Sequence, residues 1–301
     1  MPISDEVAHV MPAVKALADA AGTVLSKLVS GDPWEFSEGD SLNPSGDAQT
    51  EQDQFAHQVF EAALKNCPSV GNLVSEEVDG IVSIGSGNLS ISLDPFDGSK
   101  AYEFGIPPGT IFGIFEGGDD PSQFSGNRVL AAGVFIYRHH LELILTVGGD
   151  TYRLTANSTN RLHEITSCNA MICANLSNMS NWTEGWRNYF TSYVLDQKGS
   201  ARYNMRWYGS LAAHFGTLLR TGGIFAYPPD SRSGYSQGHL RLLYEAIPIS
   251  YIIESLGGRA TDGLTSILSI IPSEFHQKTP FAFGEESMIL ELESSIQEDQ
   301  L

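Results

Sequence analysis

Leu89-Ser90-Ile91-Ser92-Leu93-Asp94-Pro95-Phe96-Asp97-Gly98-Ser99 is the stretch that decides how this chain reads. Leu89, Ile91 and Leu93 alternate with serine, the two-residue period that marks a strand. The strand runs directly into Asp94. Pro95 and Gly98 then turn the chain, so that two carboxylates, Asp94 and Asp97, and the Phe96 carbonyl between them leave the strand end facing one way. Gly98 and Ser99 add exposed backbone N–H groups suited to phosphate oxygens. Two readings stand side by side: Asp-Pro and Asp-Gly as ordinary turn pairs, or oxygen ligands for a hard divalent cation.

The flanking sequence supplies layers for such a strand. Upstream, Val10, Val14, Leu17, Ala21, Leu25 and Leu28 at helical spacing predict an amphipathic helix over 4–30. A loop rich in glycine and proline follows over 31–46, and Phe55, Val59, Phe60, Ala63 and Leu64 mark a second helix over 50–65. Downstream, strand-like runs cover 110–115, 129–137, 141–147 and 170–174. Helices are predicted over 182–195, 209–221 and 248–257, strands over 224–227 and 240–245, and a last helix after Glu285. No internal repeat is present. The pattern is that of a layered α/β protein, read as an N-terminal lobe over 1–165 and a C-terminal α/β lobe over 166–301.

Composition excludes several classes of function. With 42% hydrophobic and 18% charged residues, 301 residues bury a substantial core. Thirty-six acidic residues against 17 basic give a formal charge of −19, which opposes nucleic acid and anionic membranes as partners. An anionic substrate would then need cations at its site. The three cysteines, Cys67, Cys168 and Cys173, show no CxxC spacing and fit a reducing compartment. No apolar run reaches the ~18 residues of a membrane span, and no leader pattern opens the chain.

Other carboxylates accompany Asp94 and Asp97. Asp47 follows Gly46 in the loop, and Asp53 stands at the front of the second helix, where a negative charge suits the helix dipole without any further role. The adjacent pair Glu76-Glu77 reads either as ligands or as a solvated acidic pair. Glu245 ends the apolar run Leu240-Arg241-Leu242-Leu243-Tyr244, where an unpaired carboxylate would be costly, so a ligand role is favoured.

Taken in order, Gly46-Asp47 with Asp53, Ser75-Glu76-Glu77, Leu93 to Ser99, Gly109-Thr110-Ile111-Phe112-Gly113 and Leu240 to Glu245 resemble the fructose-1,6-bisphosphatase and sedoheptulose-1,7-bisphosphatase family over most of the chain. The resemblance implies the sugar-phosphatase fold, an αβαβα sandwich of helices and mixed sheets, and the activity of a phosphoric monoester hydrolase. It implies that Glu76, Asp94, Asp97, Glu245 and the Phe96 carbonyl hold two or three Mg2+ per subunit, with Mn2+ as a substitute. Asp47 would serve a further metal or its surroundings, and Asp53 and Glu77 would polarise the attacking water. Gly98, Ser99 and Arg241 match the positions around the phosphate that is cleaved. Asn178, Arg206, Trp207, Tyr227 and His239 match those around the retained phosphate, in the C-terminal lobe. Arg206 matches a residue that reaches a neighbouring subunit's site, which implies a homodimer or tetramer.

The chain departs from the family pattern at two of these positions. His239 stands in place of a lysine and Trp207 in place of a tyrosine, so a fixed charge and a phenol hydroxyl are both missing. The signatures of AMP control, and the cysteine pair of a redox switch near 41–46, are absent as well. Asn43 through Asp53 and Asn178-Met179 resemble the sedoheptulose enzymes, whereas Tyr227-Pro228 resembles the fructose enzymes. The expectation is therefore hydrolysis of the 1-phosphate of sedoheptulose-1,7-bisphosphate. The alternatives are fructose-1,6-bisphosphate or both substrates, an inositol-phosphate phosphatase, or a non-catalytic sugar-phosphate sensor. A cytoplasmic location is expected, or a plastid if a transit peptide has been removed.

Overall fold

A computed structural model of the chain describes residues 5–31, 34, 43, 49–195 and 203–299. The first layer is a pair of helices, α1 (Asp5–Ser30) and α2 (Glu51–Lys65), of which α2 opens on a capping box between Thr50 and Asp53. Behind them lies an eight-stranded sheet: β1 (Val70–Ser75), β2 (Ile81–Ser83), β3 (Leu89–Asp97), β4 (Gly109–Glu116), β5 (Val129–Tyr137), β6 (Leu141–Val147), β7 (Asp150–Thr155) and β8 (Ser158–Leu162), in the order β2-β1-β3-β4-β5-β6-β7-β8. A short helix, α3 (Ser99–Tyr102), interrupts it after β3. Val10, Leu17, Phe60, Leu64, Ile91, Leu93, Phe112 and Phe135 fill the space between the helix pair and this sheet.

The second half builds three further layers. Strands β9 (Met171–Ala174), β10 (Asn204–Met205), β11 (Gly223–Tyr227), β13 (Gly258–Thr261) and β15 (Phe281–Glu285) form a five-stranded sheet in the order β10-β9-β11-β15-β13. Between the two sheets run α5 (Leu211–Thr221) and α6 (Ile247–Ser255), packed through Ile111, Ile136, Phe215, Phe225, Ile249, Ile253 and Phe283. On the outer face of the smaller sheet lie α4 (Glu184–Val194) and α7 (Glu286–Asp299), packed through Trp186, Phe190, Ile289 and Leu292. A small ladder of β12 (Leu240–Arg241) and β14 (Lys278–Thr279) completes the chain. The resulting order of helices, sheet, helices, sheet, helices is the αβαβα sandwich. Among the described residues no helix is long and apolar enough to cross a membrane.

Two departures from the sequence reading have physical causes. The predicted strand over 240–245 stops at Arg241, and Leu242–Ala246 coil into a single π-helical turn with all five residues buried. A short apolar run that is buried on every side carries no period, so sequence alone cannot separate strand from helix there. Strand β1 was not predicted because Gly71 and Asn72 interrupt its apolar residues. It carries a bulge between Val70 and Asn72, and Gly71 is required where a Cβ would lie 2.2 Å from the Gly87 carbonyl oxygen. The predicted loop over 31–46 falls mostly outside the described residues.

Candidate active site

The site forms where three chain segments end together. Strand β1 pairs in parallel with β3, matching Ser75 to Leu93, and the Glu76 N–H donates to the Leu93 carbonyl at 3.1 Å. This brings the Glu76-Glu77 pair beside Asp94. Between Asp94 and Asp97 the β3–β4 register shifts, so Pro95 and Phe96 bulge out of the ladder. Thr110 secures the bulge by donating from Oγ1 to the Pro95 carbonyl at 2.7 Å, and the buried Phe96 ring packs on Tyr102 and Tyr137.

Asp97 is held at the start of α5. Its Oδ1 accepts the Leu211 N–H at 3.0 Å, and its Oδ2 accepts the Ala212 N–H and the Ser210 hydroxyl, each at 2.8 Å. These are donors that a helix leaves unpaired in its first turn. Three bonds on a carboxylate with about four lone-pair sites leave capacity for a cation. Gly98 makes the approach feasible: its φ is +83°, and a Cβ there would lie 2.5 Å from Ser210 Cβ.

The π-helical turn supplies the third carboxylate. It folds Glu245 back so that Oε2 accepts the Arg241 N–H at 2.6 Å. Single π turns of this kind recur at functional sites. Carboxylate oxygens of Asp94, Asp97 and Glu245 all lie within 4.8 Å of one another. Burial, then Glu76, Asp97, Glu245 and Glu77, push the Asp94 carboxyl far above the usual range. Glu245 is raised strongly by burial and Glu76, against the opposing pull of Arg241, and Asp97 is raised by burial against its three hydrogen bonds. Packed carboxylates that resist ionisation together are a site for a positive ion. Oxygen donors only, in a partly open cluster, fit a hard divalent cation such as Mg2+.

Around this cluster lies a cavity of about 480 Å³. Asp53, Glu76, Glu77, Asp94, Phe96, Asp97, Gly98, Ser99 and Glu245, all named from the sequence, line its acidic end. Burial raises the Asp53 carboxyl to about 6, opposed by hydrogen bonds from Thr50 and Ser99 and by the Lys100 charge. Glu77 is oriented by Gln49, whose Nε2 donates to Oε2 at 2.5 Å, while Gln54 donates to Gln49 at 3.1 Å. His276 ties this segment to the π-helical turn, bonding the Val78 carbonyl at 3.0 Å through Nε2 and the Tyr244 hydroxyl at 2.7 Å through Nδ1.

Trp207, Tyr227 and His239 line the remainder of the cavity. The His239 ring is stacked between Tyr227 and Tyr235, each 5.1 Å away. Trp207 stacks on Phe225 and meets Tyr227 edge-on. Lys100, Tyr208, Ser210, His214 and Tyr235 also line the cavity and were missed from sequence. Lys100 had a usable signal, standing next to Ser99 in an otherwise acidic neighbourhood. The others carry no period or motif. His214 is fully buried, its Nε2 accepts the Tyr208 N–H at 2.9 Å, and burial lowers its pKa to about 3, so it stays neutral.

Three expected residues stand apart from the cavity. Arg241 is buried behind it, with Nη1 on the His239 carbonyl and Nη2 4.0 Å from Glu76 Oε1. Its side chain does not line the cavity. Asn178 lies on a 3₁₀ turn, Leu176–Asn181, and Asn175 lines the cavity in its stead. Arg206 is exposed and donates to the Met205 carbonyl at 2.8 Å. Asp47 lies outside the described residues.

Two family models match consecutive parts of the sequence: fructose-1-6-bisphosphatase, N-terminal domain, over 36–161, and fructose-1-6-bisphosphatase, C-terminal domain, over 165–297. The chain belongs to the fructose-1,6-bisphosphatase family. It is a sugar bisphosphatase, a phosphoric monoester hydrolase. Class 1 fructose-1,6-bisphosphatase of Rhodobacter capsulatus is 35% identical over 295 residues, covering 94% of this chain and 88% of the relative. The corresponding enzyme of Rhizobium meliloti is 37% identical over 310 residues, covering 94% and 85%. The crystal structure of Leishmania major fructose-1,6-bisphosphatase in holo form superposes with a TM-score of 0.84 at 25% identity, covering 99% of this chain and 96% of that one. The family is metal-dependent and acts on sugar bisphosphates, in keeping with the carboxylate cluster. These relatives carry the fructose name, which fits the fructose alternative better than the sequence preference for sedoheptulose-1,7-bisphosphate.

Proposed function

We propose that the chain hydrolyses the 1-phosphate of fructose-1,6-bisphosphate with Mg2+, and accepts sedoheptulose-1,7-bisphosphate as a second substrate. The observation that carries this reading is the convergence of Asp94, Asp97 and Glu245 within 4.8 Å at one end of a cavity whose other walls are aromatic and imidazole rings. Asp94, Asp97 and Glu245, with Glu76 beside them, would hold the cations. When bound, divalent cations neutralise phosphate charge and lower the pKa of water. Asp53 accepts the proton of the attacking water at a carboxylate oxygen, its pKa of about 6 placing it in the working range of a general base. Glu77, fixed by Gln49, orients the same water. Lys100 adds positive charge near the phosphate, and Trp207, Tyr227 and His239 receive the sugar and the retained phosphate.

A homodimer belongs to the same reading, since Arg206 is exposed and does not line its own cavity. A cytoplasmic location is supported by three cysteines that are all free thiols. The test is phosphate release from the two bisphosphates side by side with Mg2+. Turnover of fructose-1,6-bisphosphate with at least comparable kcat/KM supports the proposal. Turnover of sedoheptulose-1,7-bisphosphate alone would overturn it.

A further inference from the structure

Away from the cavity, this acidic chain concentrates positive charge at one point. Glu142 on β6 is 1% exposed, and three guanidinium groups surround it. Arg220, in the last turn of α5, donates from Nη2 to Oε1 at 2.7 Å and to Oε2 at 2.8 Å. Arg153 on β7 brings Nε to 3.2 Å from Oε1, and Arg138, just beyond β5, brings Nη1 to 3.9 Å from Oε2. One carboxylate against three guanidinium groups leaves two positive charges uncompensated. Asp150, on the same strand as Arg153, is paired with Arg161 instead.

Several features show that the cluster is incomplete as it stands. The Nε of Arg138 is buried and has no hydrogen-bond partner among the described residues, and the buried Nε of Arg153 has only its 3.2 Å ion contact with Glu142. Arg220 engages Glu142 through Nη2 alone, which reaches both oxygens, and Arg153 and Arg138 each approach a single oxygen. Partly buried like charges without an anion are costly, whereas a fork of guanidinium donors is the usual receptor for a tetrahedral oxyanion. The three side chains remain 28%, 24% and 35% exposed for Arg138, Arg153 and Arg220, so a solute reaches them from solvent. None of the three lines the catalytic cavity.

We propose that Arg138, Arg153 and Arg220 form a second binding site, for a small tetrahedral dianion, either free or as the phosphate group of an ester. The site stands at the opposite end of α5 from Asp97. An 11-residue helix therefore separates it from the metal cluster by about 16 Å. Because the first turn of α5 holds Asp97 and its fourth residue, His214, holds Tyr208, an anion drawn to Arg220 acts on a helix that the catalytic cavity also uses.

The test uses the full chain, freed of metal, titrated calorimetrically with sulfate and separately with glycerol 3-phosphate in low-chloride buffer. The comparison is with Arg153→Gln and with Arg138→Gln plus Arg153→Gln, each checked for folding by circular dichroism. The double variant should bind at least one of the two anions about tenfold or more weakly, since charge-assisted bonds are lost. Tighter binding of sulfate than of the ester identifies the free ion as the ligand, and the reverse identifies the ester. Both orders support the site. Unchanged affinity for both anions in the double variant overturns it, and so does a variant that binds as before but dissociates into smaller species, which would make the arginines an interface between copies. If the double variant fails to fold, Arg138→Gln alone, whose contact with Glu142 is the longest, decides the question by the same readout.

Discussion

Replacing Asp53 with asparagine should make the protein more stable and nearly inactive, and the stability gain should depend on pH in a defined way. Asp53 is 6% exposed, and burial raises its carboxyl from 3.8 to about 6 in the folded chain. The folded state therefore binds the proton more tightly than the unfolded state does. Below pH 3.8 both states are protonated and the group is neutral in its effect. As pH rises from 3.8 to 6 stability is lost, and above 6 the full cost of the buried charge is present. Asparagine never ionises, and its side-chain oxygen can still accept from Thr50 N–H, which now bonds Asp53 Oδ2 at 2.7 Å. Linkage with these two pKa values gives a gain of about 1 kcal/mol near pH 4.5, rising to about 3 kcal/mol near pH 7.5. Urea unfolding of both proteins in EDTA across that range measures it. A loss of stability at neutral pH, or a difference that does not vary with pH, would refute the argument that Asp53 is a buried charge held for its chemistry. Loss of the general base should lower kcat by about two orders of magnitude in the same variant.

Three further outcomes follow from the same geometry. Mg2+ should relieve repulsion among Asp94, Asp97 and Glu245, adding about 2.7 kcal/mol of stability at a hundredfold excess over Kd and raising the thermal midpoint accordingly; Asp94→Asn should show a much smaller rise in differential scanning fluorimetry. Gly98→Ala forces a side chain into a left-handed conformation against Ser210, at a cost of about 2–4 kcal/mol, and should reduce kcat because Ser210 holds Asp97; denaturant titration and initial rates check both. In His214→Phe the Tyr208 N–H loses its acceptor inside the wall, so KM should rise while the protein loses about 1–3 kcal/mol of stability; in the unaltered protein the His214 imidazole should show no titration above pH 5 by NMR.

How far the sequence discloses this molecule depends on where each element draws its signal. Leu89, Ile91 and Leu93 announce β3 because one period of alternation ends at an aspartate, and the ordered carboxylates around it identify the family. Glu245 was recognisable as an anomalous charge after an apolar run, but the π-helical turn that aims it at Asp94 was not, since Leu242–Ala246 are buried on all sides. Strands β7 and β8 were overlooked because they form a polar hairpin at the sheet edge, β7 half-buried and β8 exposed, with little hydrophobic alternation to read. Tyr235 and His214 gain their places only through the cavity that distant segments enclose. The arginines around Glu142 are likewise invisible in one dimension: Arg138, Arg153 and Arg220 meet through the β5–β6–β7 register and the length of α5.

The central claim is that a cation-filled carboxylate cluster on β3 and the π-helical turn drives phosphate hydrolysis. Phosphate release from fructose-1,6-bisphosphate should stop with EDTA, return with Mg2+, and be lost in Asp97→Ala although the variant remains folded by circular dichroism. Release that continues in EDTA, or that survives in folded Asp97→Ala at a comparable rate, would contradict it.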